Sequence, residues 1–155
     1  MTATVNLSHE PETVAFPETH YVFIERRGDI PAIAQQTWQT VGALGGEIAN
    51  HNRILSAAAL YKTNPGVYRA GFMLAAPPTH LPDGLTYEKL PGGNYTRFTL
   101  AGPYDQLPEA TRRAFEIVHE KKIALGNGFN IERYLKDSMT TPADQLVTEI
   151  LFLLK

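Results

Sequence analysis

The stretch from Leu146 to Leu154, LVTEILFLL, carries one charge, the carboxylate of Glu149. Strand alternation sets Glu149 on one face with Val147, Leu151 and Leu153, an otherwise apolar row. A carboxylate placed there must be protonated, hydrogen-bonded or matched by a cation, and a cation carried by a ligand is one such match. The plainer alternative is a strand-end glutamate that reaches solvent or a neighbouring hydroxyl. The five histidines, His9, His20, His51, His80 and His119, show no paired ligand spacing, so no metal site is expected. With no cysteine in the chain, disulfides, thiolate catalysis, zinc ribbons and iron–sulfur clusters all drop out. There is no P-loop, dinucleotide fingerprint or nucleophile elbow. The pairs Arg26/Arg27, Arg112/Arg113 and Lys121/Lys122 are short, offset by acids, and read as solvated faces.

The elements that must position these residues follow from periodicity. His20 to Arg27 is aromatic and branched, hence a strand ended by Gly28. Asp29 offers an N-cap and Pro31 suits a first helical turn. Ile33, Thr37, Val41, Leu44 and Ile48 then recur at helical spacing, which predicts a helix over 31–49 that Gly42, Gly45 and Gly46 shorten. Ser56 to Thr63 and Val67 to Ala76 flank Asn64, Pro65 and Gly66 as a hairpin. Leu85 to Leu90 reads as an edge strand and Tyr95 to Leu100 as a strand. Asp105 caps a second helix bearing Leu107, Ala110, Ala114, Ile117 and Val118, and Gly126 and Gly128 stop it. Ile131 to Lys136 and Leu146 to Leu154 are two more strands. Residues 1–17 form a lead-in that adds at most a short edge strand.

The order strand, helix, strand, strand thus occurs twice, with pseudo-repeats at about 20–77 and 85–154. The expected architecture is α+β: duplicated βαββ units with pseudo-twofold symmetry, and an antiparallel sheet with two main helices flanking a central groove. One domain over 1–155 is expected, since 155 residues suffice to bury roughly 70% of the unfolded surface in one core. Apolar residues at 43% and charged residues at 19% fit a compact globule. Fourteen basic against sixteen acidic residues give a net charge of −2, too little positive charge for a nucleic-acid binder. No apolar run approaches the ~20 residues of a membrane span, and the first twenty residues lack a signal core, so a cytoplasmic protein without membrane contact is expected.

Several motifs, in order, carry a resemblance: Tyr61-Lys62-Thr63-Asn64-Pro65, then Leu90-Pro91-Gly92-Gly93-Asn94-Tyr95, then Leu100-Ala101-Gly102-Pro103-Tyr104-Asp105-Gln106-Leu107. Ile131-Glu132-Arg133-Tyr134-Leu135-Lys136-Asp137, Thr141-Pro142 and Thr148-Glu149-Ile150 complete the set. From about residue 20 to 154 the chain resembles the GyrI-like small-molecule-binding domain, a SOUL-like fold that also serves as the effector-binding half of some AraC-type and MerR-type transcription regulators. Only about twenty residues precede the match, so a stand-alone version is expected. The resemblance implies a groove between the helices for flat, lipophilic and often cationic compounds, with a buried glutamate near the pseudo-twofold axis, and Glu149 is the residue that matches. Trp38, Tyr61, Tyr68, Tyr104, Phe115 and Tyr134 would supply aromatic walls, although each ring also suits ordinary core packing. Many members carry a tryptophan four residues beyond the aromatic matching Phe115. This chain has His119 there, either lining the groove or solvated.

Three functions follow from the resemblance. The leading expectation is a binding protein that senses or sequesters an amphipathic or aromatic small molecule, in multidrug binding or transcription regulation, without a cofactor. The second is a hydrolase of cyclopropane-bearing genotoxins, with Glu149 as general base and Tyr104 or Tyr134 as proton donor. The third is a regulatory protein partner, after the DNA gyrase inhibition for which the family is named. Haem, bound by SOUL relatives of the fold, finds no clear axial histidine here.

Overall fold

The computed structural model describes residues 5–8, 10–63, 65–137 and 140–155. Residues 1–4 of the lead-in, His9 and the hairpin residue Asn64 lie outside that set. In chain order the elements are β1 (Glu12–Phe16), β2 (Thr19–Arg27), α1 (Ile30–His51), β3 (Ile54–Thr63), β4 (Gly66–Leu74), β5 (Thr86–Leu90), β6 (Gly93–Ala101), α2 (Leu107–Glu120), β7 (Asn130–Tyr134) and β8 (Val147–Leu153). The chain divides into two compact units, Phe16–Gly93 and Met1–Ala15 with Asn94–Lys155.

The unit Phe16–Gly93 orders its strands β3-β4-β2-β5, each pair antiparallel. Val22 stands opposite Phe72, and Tyr61 opposite Tyr68. β5, read from sequence as opening the second repeat, pairs instead with β2. α1 covers one sheet face with Thr37, Val41 and Ile48, as its spacing predicts. The helix runs to His51 through all three glycines, so tertiary packing overrides their propensity cost of about 1 kcal/mol each. Asp29 is its N-cap, yet only the backbone carbonyl is used, accepting from Ala32 and Ile33 N–H. Gly71 has no room for a side chain, because an added Cβ would lie 1.9 Å from the Val22 carbonyl oxygen.

The other unit repeats the plan with strand order β1-β6-β8-β7. β8 runs antiparallel to both β6 and β7. Leu107, Ala110, Ala114 and Val118 of α2 pack on Phe98, Leu100, Ile150 and Phe152, and the small alanines let helix and sheet approach closely. The lead-in contributes more than a loose edge: Leu7 bridges Leu100 and is buried in this core. Asp105 does not cap α2. It sits in a 3-10 turn, Tyr104–Gln106, that precedes the helix. Nor do Gly126 and Gly128 end it. The helix closes at Glu120, where Lys122 takes a left-handed φ of 57° and Ile123 N–H donates to the Val118 carbonyl at 3.0 Å.

Candidate ligand site

Register decides which side chains of β7 and β8 share a face. Ile150 and Phe152 meet α2, so their alternation partner Glu149 lies on the opposite face of the sheet. Glu149 stands across from Arg133 on β7 and Thr99 on β6. Its carboxylate accepts from Arg133 Nε at 2.7 Å and from Arg97 Nη1 at 3.1 Å, and Arg133 Nη2 lies 2.6 Å away. Glu12 Oε2 meets Arg97 Nη2 at 3.2 Å. Glu149 therefore shares its face with Val147, Leu151 and Leu153, as alternation along the strand predicts. The charge is buried because two guanidinium groups from neighbouring strands match it, the arrangement a buried carboxylate requires.

Glu132 presents the opposite case. It pairs with Ile150 and so lies on the face that α2 covers, together with Tyr134. Half-buried, it accepts one hydrogen bond, from the Tyr134 hydroxyl at 2.8 Å, and no cation among the described residues pairs with it. Desolvation raises its carboxyl above the usual range, while the Tyr134 bond acts the other way. The Tyr104 ring meets Tyr134 edge-on, 5.2 Å between centroids. Burial, then the charge of Asp137, pushes the Tyr104 hydroxyl up. Phe115 stacks on Phe152 at 4.1 Å. Tyr104, Tyr134 and Glu132 thus form a connected aromatic and acidic cluster within one unit, and Phe115 packs on the same α2-covered face through Phe152. His119 sits exposed in the last turn of α2.

The unit Phe16–Gly93 holds a second aromatic cluster. Trp38 Nε1 on α1 donates to the Tyr68 hydroxyl on β4 at 2.7 Å, and Tyr61 of β3 stands opposite Tyr68. On the other face of that sheet Tyr21 is fully buried and donates to the Ala58 carbonyl at 2.7 Å.

Glu132 is the residue that sequence reasoning missed. Alternation in Ile131-Glu132-Arg133-Tyr134 puts Glu132 beside Tyr134 and Arg133 with Ile131. Only the strand order β6-β8-β7 shows that Arg97 and Arg133 both flank Glu149 and leave Glu132 without a paired cation among the described residues.

The profile of the GyrI-like small molecule binding domain matches residues 9–155, and the chain belongs to that family. Among solved structures it resembles the EcmrR C-terminal domain at 15% identity and a TM-score of 0.76, covering 94% of this chain and 97% of that one. It also resembles SAV2435 bound to tetraphenylphosphonium, at 12% identity and a TM-score of 0.71, covering 94% of each. A hydrolase from Listeria innocua aligns at 12% identity and a TM-score of 0.56, covering 95% of this chain and 92% of that one. At such identities these likenesses show the fold. No curated protein sequence matches significantly.

Proposed function

We propose that this small-molecule-binding domain takes a lipophilic aromatic cation on the α2-covered face, with Glu132 supplying the negative charge and Tyr104, Phe115 and Tyr134 the ring contacts. The observation that carries this reading is a half-buried carboxylate with one hydrogen bond and no paired cation among the described residues. A ligand cation supplies the missing partner, and ring edges and faces admit more than one ligand outline, which suits multidrug binding. Glu149, already held by two arginines, supports the fold instead. No helix among the described residues is long and apolar enough to cross a membrane, in keeping with a cytoplasmic sensor or sequestering protein. Calorimetric titration tests the reading with tetraphenylphosphonium and a neutral tetraaryl analogue. Glu132→Gln should weaken the cation by roughly tenfold, about 1.4 kcal/mol, and leave the neutral compound nearly unchanged. Equal losses for both compounds would refute it.

A second reading is favoured by the 2.8 Å contact between Tyr134 and Glu132, a pairing of hydroxyl donor and carboxylate base. In a hydrolase Glu132 would take a proton from water as it attacks a strained ring, and Tyr134 would protonate the carbon released when the ring bond breaks. Multiple turnover of a cyclopropane-bearing electrophile, lost in Glu132→Gln, would establish it.

A further inference from the structure

In the unit that holds Glu132, two buried hydroxyls have no hydrogen-bond partner among the described residues. Thr148 is fully buried on β8, and its Oγ1 has no hydrogen-bond partner; the buried Oγ1 of Thr111, on α2, has none either. Their positions follow from register and helical spacing. Thr148 pairs with Tyr134, and Ile150 with Glu132, so Thr148 and Glu132 are diagonal neighbours on the α2-covered face. Along the helix, Thr111 lies one turn before Phe115, whose ring stacks on Phe152, and follows Tyr104, whose ring meets Tyr134. The helix therefore runs from the Tyr134/Thr148 level of the sheet towards Phe152. Thr111 falls between, at the level of Glu132 and Ile150.

Burying a hydroxyl without a partner costs about 1–3 kcal/mol, and the great majority of buried polar groups avoid it. The remainder of this interface is apolar, with Leu107, Ala110, Ala114 and Ile150. Two hydroxyls without a partner among the described residues and a carboxylate that accepts only one hydrogen bond thus belong to the same helix-on-sheet layer. Together they form a set of acceptors for N–H donors. A quaternary ammonium or phosphonium has no N–H and would leave both hydroxyls idle.

Resting on the reading that Glu132 receives a cation, we infer that the preferred ligand class is a protonated aromatic amine, whose N–H groups donate to the Glu132 carboxylate and to the hydroxyls of Thr111 and Thr148.

The test is calorimetric titration of the full chain with a matched pair of probes, 2-naphthylmethylammonium and its N,N,N-trimethyl counterpart. Wild type should prefer the primary amine by roughly tenfold. The double variant Thr111→Val/Thr148→Val keeps side-chain shape and removes only unbonded hydroxyls, so its thermal stability should equal or exceed wild type. It should lose the amine preference by weakening the amine alone. Equal affinity of the two probes for wild type overturns the inference, as does a preference that survives in the valine variant, which would reflect the bulk of the methyl groups. In either case a loss of both probes in Glu132→Gln leaves the reading of Glu132 standing. Indifference of both probes to Glu132→Gln, or binding of neither to wild type, overturns that reading and the inference with it.

Discussion

Glu132 and Glu149 lie on adjacent strands of one small sheet and meet opposite needs. Glu149 satisfies its charge inside the protein, through Arg97 and Arg133. Glu149→Gln leaves two guanidinium groups facing each other without the carboxylate, and it should cost about 2–4 kcal/mol, nearer the lower figure because both arginines are partly exposed. Urea denaturation measures this, and cation affinity at the remaining folded protein should hold. Glu132 behaves in reverse. Burial raises its carboxyl in the folded protein, so the native state holds that proton more tightly than the unfolded chain does. The resulting stability is complete below the ordinary carboxylate range and is lost as pH rises through the raised folded value. Glu132→Gln should remove this slope and leave the variant more stable than wild type at neutral pH, read from denaturation midpoints across about pH 4 to 8. The sequence revealed that a carboxylate stands on an unusual strand face. Which glutamate stays unmatched depended on strands that are distant in the chain, and alternation within one segment carries no such information.

At the scale of elements, local pattern was a good guide wherever burial follows a period. The faces of α1 and α2 came from the spacing of Thr37, Val41 and Ile48 and of Leu107, Ala110, Ala114 and Val118. The ends were less legible, because ends depend on single residues in unusual backbone states. α1 ignores three glycines, and α2 closes on a lysine. Lys122 holds a φ of 57°, a region that costs a side-chain-bearing residue about 1 kcal/mol and glycine little. Lys122→Gly should therefore stabilise the protein by about 0.5–1 kcal/mol in chemical denaturation, with ligand affinity unchanged, since the closing hydrogen bond from Ile123 to Val118 needs no side chain at position 122.

For the whole molecule, the least expected contributor is the lead-in. Its alternation is too short to announce a strand, yet Leu7 is 3% exposed and completes the core beside Leu100. Leu7→Ala should cost about 2–4 kcal/mol by equilibrium unfolding, as for other buried leucines. The same bridge has a consequence for the protein's synthesis. The segment Phe16–Gly93 is one compact unit of contiguous chain, and all of it is translated before Leu100. Leu7 must wait for Leu100, its partner 93 positions later, which at 5–20 residues per second leaves it unpaired for roughly 5–20 s. During that interval the nascent chain carries Leu7 without the strand that buries it. Leu7 is thus buried only after a partner far along the chain has been made, and slow translation past β5 would lengthen the time in which a protease or another nascent chain can reach it.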